Sequence, residues 1–179
     1  MYPRETLQAF DHFLAERGLR LDAVVIGGTA LNLVGVIARE TRDCDILEPV
    51  LPAPILNAAK EFAARRTAEG HQLSAGWLNN GPVQLAAVLP EGWRARLQPA
   101  FAGRSVELRT LGRPDLLKAK LFALCDRGID LGDCIALRPS PEELAEARPW
   151  LDVQDLNPDW PEHVRRTLED LAQRLGHAV

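Results

Sequence analysis

Apolar residues are set along this chain in three distinct patterns, and each predicts a different kind of element. Over residues 5–17, Leu7, Phe10, Phe13 and Leu14 fall on one helical face, and Gly18 stands where a helix C-cap belongs. Ala23-Val24-Val25-Ile26 is instead an unbroken apolar run ending at Gly27-Gly28, the profile of a short strand buried on both faces that enters a glycine turn. A short helix from Thr29 to about Val36 follows. From Thr41 to Leu47 the chain alternates: Asp43 and Asp45 point one way, Cys44 and Ile46 the other, which predicts a half-buried strand. Residues 48–54 end it, and a helix over 54–69 gathers Ile55, Ala59, Phe62 and Ala63 on one face before Gly70.

The next stretch, 71–103, is rich in loop formers. Trp77-Leu78-Asn79-Asn80-Gly81 has the look of a tight turn, and 83–89 fits either strand or helix. Val106 to Leu111 predicts another strand, after which Gly112-Arg113-Pro114 opens a helix whose buried stripe is Leu117, Leu121 and Leu124. Gly128 interrupts it, and a helical pattern resumes over 130–137. Ser140-Pro141-Glu142-Glu143 supplies N-cap, N1 proline and N3 glutamate for a helix over 141–150, and Val164, Leu168, Leu171 and Leu175 mark a last helix over 161–175. The order predicts an α/β (α+β) fold, a small sheet flanked by helices with a helical C-terminal half. We divide it into a core over 1–112 and a helical portion over 113–179 packed on the same domain.

Composition narrows the function only slightly. With 179 residues, 46% hydrophobic and 26% charged, the chain is an ordinary globular protein, which excludes wholesale disorder and a disulfide-stapled miniprotein. A formal charge of −4 argues against coating nucleic acid through net charge, while leaving a local basic groove open. Cys44, Cys125 and Cys134 are odd in number and lack the short paired spacing of a zinc ribbon or a disulfide framework. Neither an apolar leader nor an apolar stretch of about 18 residues occurs, so no membrane partner and a cytoplasmic location are expected. Lys60, Lys118 and Lys120 are the only lysines beside 18 arginines, a hint that a compact ammonium is wanted at 118–120.

The densest chemistry lies in Gly27-Gly28-Thr29, thirteen further residues, and then Asp43-Cys44-Asp45-Ile46. A diglycine after a strand lets backbone approach a phosphate, a helix start offers free N–H groups, and Thr29 adds a hydroxyl. Aspartates at i and i+2 on a strand stand about 6.6 Å apart, close enough to serve one hard cation such as Mg²⁺. Taken separately, each part also reads blandly, as a plain turn and as the solvated face of a strand.

In this order and spacing the two parts resemble the signature of the DNA polymerase beta-like nucleotidyltransferase superfamily. Ile26-Gly27-Gly28-Thr29-Ala30-Leu31 with Arg39-Glu40-Thr41-Arg42-Asp43-Cys44-Asp45-Ile46 is similar to the minimal nucleotidyltransferases related to AbiEii-type toxins. Asp115-Leu116-Leu117, Lys120-Leu121-Phe122-Ala123, Arg127, Asp130 and Asp133 resemble that group's later lysine, arginine and aspartate motifs. Trp77-Leu78-Asn79 and the stretch from Pro141 to Leu151 are similar to an uncharacterised bacterial family within the group. The resemblance implies a mixed sheet of the nucleotidyltransferase type, NTP as substrate, Mg²⁺ or Mn²⁺ as cofactor, and transfer to a hydroxyl of RNA, protein or a small molecule. It also implies a toxin–antitoxin or defence role beside a cognate antitoxin or other partner protein. Asp43 and Asp45 would hold metal, Gly27, Gly28 and Thr29 the phosphates, and Lys120 and Asp133 would contact the nucleotide or act in catalysis.

The departure is the third carboxylate that active members place on a later strand. Glu107, with Arg109 on its face, is the only acid on that strand. Arg39 and Arg42 suit either a triphosphate contact or an ion pair with Asp43 or Glu40, and Asp130 and Asp133 suit either chemistry or a salt bridge to the neighbouring helix. A module that retains the fold and binds nucleotide or partner without catalysis is the rival reading. Cys44 and the scattered His12, His71, His163 and His177 are assigned no chemistry.

Overall fold

The computed structural model describes residues 1–177 and resolves the chain into two compact units, 1–87 with 94–111, and 88–93 with 112–179 as far as described. In the first unit, α1 (Pro3–Glu16), α2 (Gly27–Leu33) and α3 (Ala53–Ala68) accompany β1 (Leu21–Ile26), β2 (Cys44–Glu48), β3 (Leu78–Asn79), β4 (Gln98–Ala102) and β5 (Val106–Thr110). The strands form one mixed sheet in the order β3-β2-β1-β5-β4. β1 lies at its centre, antiparallel to β2 and parallel to β5. β3 runs parallel to β2, and β4 antiparallel to β5.

Alternation along the strands decides what each face carries. Ala23 and Val25 of β1, Cys44 and Ile46 of β2, and Val106 and Leu108 of β5 join one core with Leu7, Phe10 and Leu14 of α1 and Phe62 of α3. Trp77, fully buried, packs its ring at 5.1 Å from Phe10 and donates its indole N–H to the Ala59 carbonyl. Each such buried side chain contributes about 1.5–3 kcal/mol. The opposite face therefore carries Asp22, Val24 and Ile26 of β1, Asp45 and Leu47 of β2, and Glu107 and Arg109 of β5.

One polar anchor crosses the core side. Asp11 on α1 is only 6% exposed and accepts backbone N–H groups from Ser105 at 2.7 Å, Val106 at 2.8 Å and Arg104 at 3.0 Å, which fixes the turn between β4 and β5. A Cβ at Gly103 would collide with this carboxylate, so only glycine fits there.

The second unit is helical: α4 (Arg113–Arg127), α5 (Leu131–Leu137), α6 (Pro141–Leu151) and α7 (Trp160–Arg174). Leu117, Leu121, Leu144, Leu151, Val164, Leu168 and Leu171 are among its buried positions. The expected capping box at Ser140 and Glu143 is present, with both of its hydrogen bonds made. Residues 88–93 belong to this unit, and Trp150 donates its indole N–H to the Val88 carbonyl. Among the described residues no helix is long and apolar enough to cross a membrane.

Candidate functional site

β1 delivers its chain end to Gly27, where φ is +73°, a left-handed conformation that glycine adopts without strain. The turn brings α2 beside the start of β2, where Asp45 pairs in register with Ile26. A Cβ on Gly27 would stand 2.8 Å from Asp45 Oδ2. A Cβ on Gly28 would stand 3.2 Å from Thr41 Cγ2 and 4.0 Å from Arg39 Nη2. Both glycines thus make room for the chain's own residues, and Gly27 specifically for an aspartate carboxylate.

The Thr29 hydroxyl, which the sequence offers to a phosphate, is employed otherwise. Thr29 is 1% exposed, and its Oγ1 donates to the Asp43 carbonyl at 2.7 Å and lies 3.1 Å from Thr41 Oγ1. Two threonine hydroxyls therefore hold the backbone at Asp43, just ahead of the strand that presents Asp45. Arg39 lies beside Gly28, and Arg42 is exposed. Glu40, considered as a partner for either arginine, sits 3.4 Å from the N-terminal ammonium.

A third wall was not apparent in the sequence. Asn79 on β3 pairs in register with Asp45, and a Cβ on Gly81 would stand 4.0 Å from Asp45 Oδ1 and 2.9 Å from Asn79 Oδ1. The tight turn at Asn79-Asn80-Gly81 carries the signal, but only the parallel pairing of β2 with β3 shows that it borders Asp45. Asp45 lies between two glycines, one on each neighbouring segment.

Glu107 takes the correct face and the wrong level. It pairs with Asp22 at the beginning of β1, whereas Asp45 pairs with Ile26 at its end, four residues or roughly 13 Å further along. Arg109, which pairs with Val24, is bonded to Asp22 at 3.2 Å. Register rather than alternation sets this level, so Glu107 stands apart from Asp45 along the sheet. Among the described residues no group of three His, Cys, Asp or Glu could hold a metal ion. Two hard carboxylates at i and i+2, one of them accommodated by a glycine, nonetheless suit a divalent cation shared with phosphate oxygens. Cys44, between them, points into the core, and burial, with the charges of Asp45 and Asp43, pushes its thiol well above the usual range.

The later motif residues meet within the helical unit. Lys120 Nζ donates to Asp133 Oδ2 at 2.7 Å and to Asp130 Oδ1 at 2.9 Å, and Arg127 bonds the other oxygen of Asp130 at 3.1 Å. Lys120 is 7% exposed and Asp133 4%. Burial alone would lower the Lys120 pKa, but the hydrogen bonds and charges of Asp133 and Asp130 outweigh it and raise the value. Lys118 is half-buried.

A family model described as nucleotidyltransferase of unknown function (DUF6036) matches residues 5–135, a span that includes the Gly27-Gly28 turn, Asp43, Asp45 and the Lys120–Asp133 pair. No curated protein and no solved structure matches the chain.

Proposed function

The chain belongs to this nucleotidyltransferase family, and on that premise we propose that it binds an NTP with a divalent cation at Gly27, Asp43 and Asp45 and transfers the nucleotide to a hydroxyl. The observation that carries the reading is the fit of the Asp45 carboxylate against the bare Cα of Gly27, at the strand end where the glycine turn begins. In the transfer an acceptor oxygen attacks the α-phosphorus, the bond to the bridging oxygen breaks, pyrophosphate leaves and the acceptor proton passes to solvent or a nearby base. Mg²⁺ or Mn²⁺ held by Asp43 and Asp45 would supply charge neutralisation and polarisation of the phosphate oxygens. Thr29 and Thr41 act on this site indirectly, by holding the backbone at Asp43. Arg39 and Arg42 are cations of the same segment, and their guanidinium groups suit a triphosphate by chemistry.

A second reading rests on one observation, the displacement of Glu107 by four residues from the level of Asp45. With no acid from β5 at that level, the site would bind nucleotide and metal without activating an acceptor. Incubation with each labelled NTP, Mg²⁺ or Mn²⁺, and total RNA or lysate separates the two: label fixed to RNA, protein or a small molecule supports transfer, and calorimetric binding without label transfer supports the module. A role like that of AbiEii-type toxins, a cytoplasmic location and a cognate antitoxin belong to the same proposal and would be tested by recovering the partner from the native host.

A further inference from the structure

The helical unit contains a groove of about 780 Å³ that the nucleotide reading leaves unused. It is formed by the last turn of α4, the start of α5, the segment before α7 and α7 itself. Its floor includes Leu124, Leu131 and Trp160, and the one polar atom of the Trp160 ring is already bonded to the Leu151 carbonyl at 2.8 Å. His163, also in the wall, has its Nε2 on the Cys125 carbonyl at 2.8 Å.

The rim is acidic. Asp126, Asp155, Asp159 and Asp170 line it against a single cation, Arg127. Arg127 is paired with Asp130 and Asp170 with Arg174, so those charges are offset. Asp126, Asp155 and Asp159 are exposed and enter no ion pair among the described residues. Beside this rim the chain also leaves apolar side chains in water. Leu156 is 100% exposed between Asp155 and Asn157, which both line the groove, and Ile129 is 75% exposed next to Gly128, which lines it too.

The geometry points to a docking groove for a basic amphipathic segment of another protein, whose aliphatic side chains rest on Leu124, Leu131, Leu156 and Ile129 while its Arg or Lys groups meet Asp126, Asp155 and Asp159. A second copy of this chain is disfavoured by its net charge of −4. A small polyamine would answer the aspartates but leave Leu156 and Ile129 in water. The volume falls within the range of a specific pocket, which suits a few anchoring side chains rather than one methyl group.

The test is a calorimetric titration of the whole chain with a Leu/Arg amphipathic helical peptide. The comparison probes are its Leu/Glu twin, a Gly/Arg peptide of equal charge, and spermine. The Leu/Arg peptide is expected to bind, the twin to fail, and the Gly/Arg peptide and spermine to bind at least about tenfold more weakly. Asp155→Asn with Asp159→Asn, and separately Leu156→Ser, should each weaken the Leu/Arg peptide by about tenfold with unchanged circular dichroism, since all three positions are exposed. Equal binding of the Gly/Arg peptide or spermine, indifference to these variants, or no binding of the Leu/Arg peptide would overturn the proposal. So would a dimer that sedimentation shows to be broken by Leu156→Ser, which would give the groove to a second copy.

Discussion

The carboxylate of Asp45 is seated against the Cα of Gly27, at a spot where a Cβ would stand 2.8 Å from Oδ2. Gly27→Ala meets two costs, about 1–2 kcal/mol for the left-handed backbone and the displacement of Asp45. Gly35 has φ of +79° and nothing within 4 Å of its Cβ position, so Gly35→Ala carries the first cost alone. In urea melts both variants should lose stability, while in calorimetry only Gly27→Ala should lose metal-dependent NTP binding. Wild-type binding by Gly27→Ala would remove Asp45 from the site.

Asp43→Asn and Asp45→Asn should weaken NTP binding in Mg²⁺ by at least about tenfold each and leave metal-free binding little changed. The circular dichroism of both variants should match wild type. If the double variant binds with wild-type affinity, the phosphate contacts do not run through a metal at these aspartates.

Glu107→Gln should change neither binding nor transfer, because its register partner is Asp22, far from Asp45. Its stability should stay within about 0.5 kcal/mol of wild type, as for other exposed positions. Loss of transfer with retained binding would restore Glu107 as the activating carboxylate.

Asp11 links stability to acid. Burial pushes its pKa up, but the hydrogen bonds from Ser105, Arg104 and Val106 outweigh this and hold it below the ordinary value. A carboxylate with a depressed folded pKa stabilises the fold above its unfolded value of about 3.9, and that contribution fades as pH falls through the folded pKa. Asp11→Ala, which leaves three backbone donors without their acceptor, should cost about 2–4 kcal/mol at pH 7 and flatten the stability profile below about pH 4. Guanidinium melts across pH 2–7 would check this, and a profile as steep as wild type would contradict it.

Lys120→Ala should destabilise the helical unit by about 3–5 kcal/mol, since it leaves the buried Asp133 and the half-buried Asp130 without their ammonium. Lys120→Arg should recover only part of this, because a planar fork replaces a compact charge that reaches both acids. The raised Lys120 pKa places the pH effect on the alkaline side: its contribution is complete below the unfolded value of about 10.4 and is lost as pH rises through the folded one. Thermal melts between pH 7 and 11 would reveal it, and a Lys120→Ala variant as stable as wild type would show that the pair is not structural.

Local pattern made much of this legible and long-range pairing hid the rest. The run 23–26, the glycine turn and the alternation at 43–46 each specify their element within a few residues, so β1, α2 and β2 appear close to where the periodicities put them. β4 escaped because Gln98–Ala102 contains Pro99 and has no alternation of its own; it exists through its pairing with β5 at the sheet edge. β3, two residues long, exists only beside β2. The sequence reveals which face Glu107 takes but not its level, since the register of β5 is set by β1 more than eighty residues earlier. Thr29 shows the converse: its hydroxyl suits a phosphate by chemistry, and only the fold shows that Asp43 already occupies it.

Trp77, enclosed by Phe10 and Phe62, is the sole indole of the sheet unit, while Trp93, Trp150 and Trp160 all belong to the helical one. The molecule is thereby partitioned optically. A chain whose other three tryptophans are replaced by phenylalanine would emit from the sheet alone, at the short wavelengths of a water-free site, so spectroscopy can follow each half without attaching a dye.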